Sequence, residues 1–393
     1  MDSRTQNTVL IVDDNPNNLK VLGTILSKNG FKLTIAQNGK DAIHSSQKRT
    51  LDIILLDILM PEMDGFEVCQ HLKTNEKTKD IPIIFLSALT QSEDKVKAFK
   101  AGGLDYITKP FFEEEVIARV NIHVENNQLL KALSHSNRQL EKKQSLLDDD
   151  LKAAAEIQKC LLPKKNLSIK GIDIDWQFNP CSMIGGDIFN IVPLDNTTIA
   201  FYIIDVSGHG VPSAMVTVSV SQMLQENSGL IKNSNNEIVS PEKVLQALDD
   251  AYPIQRFDKY FTIFYGIMDV STGKLTYSSA AHPPPIRICS TQKIDTLDKG
   301  GTIIGLGGMI PFEKGEIVLN KNDQIIFYTD GVTECRNDSS EFYGDQRLMR
   351  LVKSTTNMPV KETIQIIYDD LMHFSENTQP RDDISILGIK KLN

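Results

Sequence analysis

The sequence is poor in the features that mark secreted, membrane-spanning or nucleic-acid-binding chains. Its five cysteines, Cys69, Cys160, Cys181, Cys289 and Cys335, lie far apart and are odd in number. None has the close spacing of a zinc knuckle or a redox dithiol, so they read as reduced thiols in a cytoplasmic protein. The segment Met1–Asn7 lacks the apolar stretch of a signal peptide, and no run reaches the ~18 consecutive apolar residues of a membrane helix. A cytoplasmic location without a membrane partner is therefore expected. There is no dense Lys/Arg run, and the formal net charge of -9 argues against nucleic acid as a partner, because phosphates need a basic patch. Bulk disorder is excluded by 40% hydrophobic and 24% charged residues, which is average for a globular chain.

What is present falls into three segments, since 393 residues exceed one ordinary core. Residues 1–125 alternate short apolar runs with amphipathic windows. The runs are Val9–Val12, Lys32–Ile35, Ile53–Leu56, Ile81–Leu86 and Asp105–Ile107. Fully apolar runs of this length predict central strands of a parallel sheet, and the repeated strand–helix units predict a doubly wound α/β fold of five strands. Residues 126–165 lose the strand signal. Leu133, Leu140, Leu147, Ala154 and Leu161 recur every seven residues, diluted by Asn137, Gln144 and Gln158. That seam predicts a long helix and a coiled-coil homodimer. Residues 166–393 group their strands and helices separately, which predicts an α+β layered domain.

In the first segment Asp13 and Asp14 follow the strand Val9–Val12, and Asp57 follows Ile53–Leu56. Carboxylates at neighbouring strand ends repel unless a cation sits among them, and Mg²⁺ suits such a pocket. Ser87 and Lys109 close the next two strands and would hold a phosphoryl group there. In this order, and with the stretch Asp57-Ile58-Leu59-Met60-Pro61-Glu62-Met63-Asp64-Gly65, the segment resembles the receiver domains of two-component response regulators. The resemblance implies that Asp57 is the phosphoacceptor, that Asp13, Asp14 and Asp57 hold Mg²⁺, that Ser87 and Lys109 sense the phosphate, and that Tyr106 is the aromatic switch. It also implies a cognate histidine kinase or another phosphodonor.

In the last segment four acidic spots recur beside strands: Gly185-Gly186-Asp187, Asp205-Val206-Ser207-Gly208-His209-Gly210, Thr329-Asp330-Gly331 and Arg381-Asp382-Asp383. Aspartates from distant segments, with no His/Cys cluster beside them, predict oxygen ligands for Mg²⁺ or Mn²⁺. Two such ions lower the pKa of a shared water and aim it at a phosphoryl group. Together with Ala154-Ala155-Glu156-Ile157-Gln158, Tyr260 to Gly266 and His282-Pro283-Pro284-Pro285, these spots resemble the metal-dependent (PPM-type) serine/threonine phosphatases, in particular their stage II sporulation E branch. The resemblance implies a four-layer α-β-β-α sandwich. Asp205 would bridge two Mn²⁺ or Mg²⁺ ions, Val206 would offer its carbonyl, and Asp187, Asp330 and Asp382 would complete the shells, with Asp383 as an adjacent candidate. His209 reads equally as a proton donor or as part of a structural turn. Asn190 stands where the branch often has a second aspartate, and Ala281 where it usually has glycine.

Receiver, helix and phosphatase in this order resemble the regulators of partner-switching pathways. The implied substrate is the phosphoserine or phosphothreonine of an anti-sigma-factor antagonist. The rival reading is a receiver-controlled adaptor that uses an inactive phosphatase fold as a binding surface. A nucleotide-cyclase output lacks its Gly-Gly-Asp-Glu-Phe type signature.

Overall fold

The computed structural model describes residues 6–87, 92–165, 167–308, 310–376 and 380–392, with the side chains of all but 92–95. Residues 1–144 and 145–393 form two compact units.

The first unit runs β1 (Thr8–Val12), α1 (Pro16–Lys28), β2 (Lys32–Ala36), α2 (Gly39–Lys48), β3 (Ile53–Asp57), α3 (Gly65–Thr74), β4 (Ile83–Ser87), α4 (Ser92–Lys100) and β5 (Asp105–Thr108). Its five strands are all parallel, in the order β2-β1-β3-β4-β5. The apolar runs have no polar face because both sides of the sheet are covered. Leu10, Val12, Ile54 and Leu56 pack on one side with Val68 and Leu72 of α3. Val9, Ile11, Ile53 and Leu55 pack on the other with Leu22 and Leu26 of α1. The predicted run Ile81–Leu86 becomes a strand only from Ile83, since Pro82 has no N–H for the ladder. The strand order reverses between β1 and β3, so the carboxyl ends of these two strands border the crevice where such sheets bind ligands.

Helix α5 (Glu113–Lys159) is 47 residues long. Val116, Val120 and Val124 bury its first turns against the receiver sheet. No Gly or Pro interrupts the chain beyond them, so the helix simply continues. Leu133, Leu140 and Leu147 then stand 58%, 61% and 58% exposed, an unusual cost for three leucines on one heptad position.

The second unit runs β6 (Ile172–Asn179), β7 (Asp187–Pro193), β8 (Thr198–Val206), α6 (Val211–Met223), α7 (Pro241–Ala251), α8 (Ile254–Phe257), β9 (Phe261–Asp269), β10 (Lys274–Ala280), β11 (Ile286–Ile288) and β12 (Ile294–Thr296). It continues with β13 (Gly300–Gly301), β14 (Gly315–Val318), β15 (Gln324–Tyr328), α9 (Asp330–Thr333), α10 (Asp345–Ser354), α11 (Val360–Phe374) and β16 (Ile384–Lys391). One sheet is ordered β13-β10-β9-β8-β7, with β14 also on β10; the other is β12-β11-β15-β16-β6. The sheets are joined by an apolar core. Phe201 of β8 and Phe264 of β9 meet Phe327 of β15 at centroid distances of 5.1 and 5.4 Å. Helices α6 and α7 cover the outer face of the first sheet through Val220, Val244 and Leu248. Helices α10 and α11 cover the second through Leu348, Val352, Ile364 and Ile367. The result is a four-layer α-β-β-α sandwich.

Candidate functional site

The first unit gathers Asp13, Asp14 and Asp57, one oxygen from each lying within 4.8 Å of the others. Asp13 is fully buried; its Oδ1 accepts from the Asn15 amide at 2.9 Å and from Asn18 Nδ2 at 3.0 Å. The Lys109 ammonium sits between Asp13 and Asp57, at 2.9 and 2.8 Å. Burial raises the pKa of Asp57 and Asp13 adds to that, while Lys109 opposes it. Gly65 is required by contact: a Cβ there would lie 2.2 Å from the Asp57 carbonyl oxygen. Ser87 is buried at the end of β4, and its carbonyl accepts from the Lys109 amide at 2.8 Å. Tyr106, on β5, has the Arg119 guanidinium 5.6 Å from its ring centroid and Phe99 edge-on at 6.4 Å. Three carboxylates with one ammonium form an oxygen-only donor set of the kind Mg²⁺ takes.

The second unit builds its acidic centre from both sheets. Asp187 opens β7 and Asp205 lies near the end of β8, and they are direct cross-strand partners, so their side chains share a face. Asp330 follows β15, and Asp382 and Asp383 precede its neighbour β16. Two hydroxyls fasten the sheets together here: Thr329 Oγ1 and Ser385 Oγ both donate to Asp187 Oδ2 at 2.7 Å. Glycines let the backbones close up. A Cβ on Gly186 would stand 2.6 Å from the Val206 carbonyl oxygen, and one on Gly331 2.0 Å from that of Asp383.

These carboxylates are uncompensated. Among the described residues no Lys or Arg forms an ion pair with any of the five. Burial, then Asp205 and Asp383, push Asp187 well above the usual carboxylate range. Burial, then Asp330, Asp382 and Asp383, push Asp205 to about 8. Burial, then Asp382 and Glu334, push Asp330 to about 6. Asp382, although exposed at the surface, is raised chiefly by partial desolvation. Like charges crowded into a partly buried site call for cations, and an all-oxygen set suits hard divalent ions. The residues present therefore fit the metals of a phosphatase centre.

Not every candidate sits alike. Asp383 turns its carboxylate to the backbone, accepting from the amides of Cys181 at 2.8 Å, Gly186 at 2.5 Å and Asp187 at 3.3 Å. It thereby shapes the turn that presents Asp187. Val206 is buried, with its amide donating to the Gly186 carbonyl at 3.3 Å. His209 is exposed between Gly208 and Gly210, both in the left-handed region, and it favours the ionised form of Asp382. Asn190 lies three residues along β7 from Asp187, hence on the opposite face, where its amide oxygen accepts from the Ile191 N–H. Ala281 adopts φ 50°, the conformation that favours glycine.

Three residues to which the sequence alone assigns no role complete the site. Thr329 and Ser385 each adjoin an acidic spot, and that adjacency was the available signal. Gln158 is the third. It is 3% exposed, and its side-chain amide donates to the Gly185 carbonyl at 2.7 Å and accepts from the Gly185 amide at 3.1 Å. The end of α5 is thus clamped to the turn that carries Asp187.

The fold and the two acidic centres define the class, a receiver domain joined by a helix to a PP2C-type phosphatase domain. The chain belongs to the stage II sporulation protein E (SpoIIE) family, which it matches over residues 195–391. Residues 9–121 match the response regulator receiver domain. Protein IcfG of Synechocystis sp. is 26% identical over 334 residues, covering 79% of this chain and 51% of IcfG. A probable cyclic di-GMP phosphodiesterase of Vibrio cholerae is 36% identical over 141 residues, covering 36% of this chain and 32% of that protein. The chain thus spans about a third to a half of the length of these two relatives. The SiaA-PP2C domain of Pseudomonas aeruginosa shares the fold of the second unit, with TM-score 0.54 at 19% identity over 64% of this chain and 99% of that one. Among the described residues no helix is long and apolar enough to cross a membrane.

Proposed function

We propose that this chain is a response regulator whose Asp57, once phosphorylated, controls a metal-dependent hydrolase of phosphoserine or phosphothreonine on a protein. The observation that carries the reading is the convergence of Asp187, Asp205, Asp330 and Asp382 from two facing sheets, with no Lys or Arg in ion-pair contact among the described residues. Asp205, with Asp187, Asp330, Asp382 and the Val206 carbonyl, would hold two Mn²⁺ or Mg²⁺ ions. Asp383 is better suited to holding the glycine turn, since backbone amides already occupy its oxygens. The ions, when bound, supply Lewis acidity and neutralise phosphoryl charge. The chain's own groups do the positioning: Thr329 and Ser385 fix Asp187, and Gln158 fixes Gly185.

In the receiver, Asp13, Asp14 and Asp57 would hold Mg²⁺. An Asp57 oxygen forms the new bond to phosphorus as the donor's imidazole or acyl oxygen leaves. Lys109 then loses part of its hold on Asp57 and turns to the phosphoryl oxygens, while Ser87 and Tyr106 register the change. Proposed domains are 1–125, 126–165 and 166–393. The exposed leucines of the helix favour a homodimer, which sedimentation of the full chain would read as twice the 43.9 kDa chain mass. The phosphodonor is a histidine kinase or a small acyl phosphate. The substrate is a phosphorylated anti-sigma-factor antagonist in a cytoplasmic partner-switching pathway.

The deciding experiment measures Mn²⁺-dependent phosphate release from a phosphoserine protein, with and without acetyl phosphate, for wild type and Asp57→Ala. A rate that responds to the phosphodonor only in wild type is expected. Equal rates under all conditions would end the regulatory claim, and no release by a folded chain would favour the adaptor.

A further inference from the structure

A cleft of about 470 Å³ opens beside the second acidic centre, and Gly331, Arg336, Arg381 and Asp382 are among its lining residues. Its size is in the range that encloses a ligand as large as a few residues of chain. Because Asp382 belongs to both, the cleft is continuous with the place where a phosphoryl group would be attacked. Whatever carries that group must leave the centre along a path such as this one.

The cleft also carries carboxylates. Glu334, exposed, lies near enough to raise the pKa of both Asp330 and Asp382, and Asp338 sits on the same hairpin as Arg336. Arg336 follows the short helix α9 in a small hairpin. There Arg336 and Phe342 form an antiparallel bridge, Tyr343 N–H donates to the Cys335 carbonyl at 2.8 Å and Asn337 N–H to the Glu341 carbonyl at 3.2 Å. The Arg336 guanidinium lies 4.2 Å from the Phe342 ring centroid, and such stacking fixes its direction without using its hydrogen-bonding edge. Among the described residues neither Arg336 nor Arg381 has a carboxylate partner within ion-pair distance. Two guanidinium groups left unpaired in a polar cleft are suited to bind a carboxylate from outside.

We infer that Arg336 and Arg381 grip the substrate polypeptide on one side of its phosphorylated residue, through an acidic side chain carried there. The inference rests on the phosphatase reading given above. It makes the cleft a specificity site: the metals would accept any phosphomonoester, and the arginines would select those flanked by acid.

The test compares a phosphoserine peptide flanked by glutamates, the same peptide with glutamines, and para-nitrophenyl phosphate. Wild type should favour the acidic peptide over the glutamine peptide. In Arg336→Glu the ratio of kcat/KM for the acidic peptide to that for para-nitrophenyl phosphate should fall at least about tenfold, through KM. Arg336→Lys should restore part of it, and Arg381→Ala should act in the same direction. An unchanged ratio in both the Arg336→Glu and Arg381→Ala chains, at wild-type melting temperature, overturns the inference. A second readout needs no turnover: anisotropy of the fluorescein-labelled acidic peptide on the chelated full chain. Binding weakened about tenfold by Arg336→Glu supports the grip even if wild type hydrolyses nothing, in which case only the phosphatase reading fails. No binding by wild type, or equal binding by the variant, overturns the grip.

Discussion

The two units each gather aspartates at strand ends, yet they meet the repulsion differently. The receiver carries its own counter-charge: Lys109 lies within 2.9 Å of Asp13 and 2.8 Å of Asp57. Among the described residues no such cation pairs with the centre of the phosphatase unit, and burial with the neighbouring carboxylates pushes Asp205 up to about 8. The donor sets also differ in spread. Among the described residues only Asp13, Asp14 and Asp57 bring one oxygen each within 4.8 Å of the others. A self-neutralised pocket suits a site that is filled and emptied by a signal. A centre without internal compensation suits one built around resident ions.

That comparison is sharpest in catalysis. Asp205→Asn should lower Mn²⁺-dependent hydrolysis of para-nitrophenyl phosphate by about a thousandfold or more, equivalent to about 4 kcal/mol of barrier. A variant within tenfold of wild type would mean that Asp205 is not central to the site. The receiver has a matching weak point in its ammonium. Lys109→Met leaves two buried carboxylates unpaired and should lower the stability of the amino-terminal unit by about 3 kcal/mol, read by calorimetry of the full chain. Mg²⁺ should return part of the loss. A stability unchanged by the substitution would show that the pocket does not depend on its built-in cation.

The smallest effect is one of pH. A carboxyl whose folded pKa exceeds its unfolded value of ~3.9 binds more protons when folded, so its contribution is present at low pH and is lost as pH rises through the folded value. For Asp205 that value is about 8. In chelator, the carboxyl-terminal unit should therefore lose on the order of 1 kcal/mol between pH 7 and 8. Saturating Mg²⁺ should cancel or reverse that slope, because ions bind the unprotonated form. A chelated unit that grew more stable over the same interval would contradict the uncompensated centre.

The receiver was legible almost to the residue, because each functional side chain directly follows a short apolar run and such runs have few alternatives as strands. The second unit was less so. Sequence places Asp187 beside a strand but not opposite Asp205, because the pairing of β7 with β8 depends on a turn whose register composition does not fix. Gln158 was read as a polar flaw in the heptad, whereas its burial on Gly185 depends on a turn 27 residues away. The start of α5 was placed near residue 126 because the receiver's last helix and the linker share one unbroken periodicity. Asp382 and Asp383 are neighbours in sequence with different surroundings: one is exposed on the cleft and the other is bound to three amides.

The hydroxyl pair on Asp187 gives this residue a double duty. Its carboxylate ties β7 to both Thr329 and Ser385 of the opposite sheet, so discarding it would loosen the sandwich as well as the chemistry. Asp382, standing exposed, carries no such tie. The two aspartates therefore differ in what their loss removes: with Asp382 a donor alone, with Asp187 a donor and a rivet between two sheets.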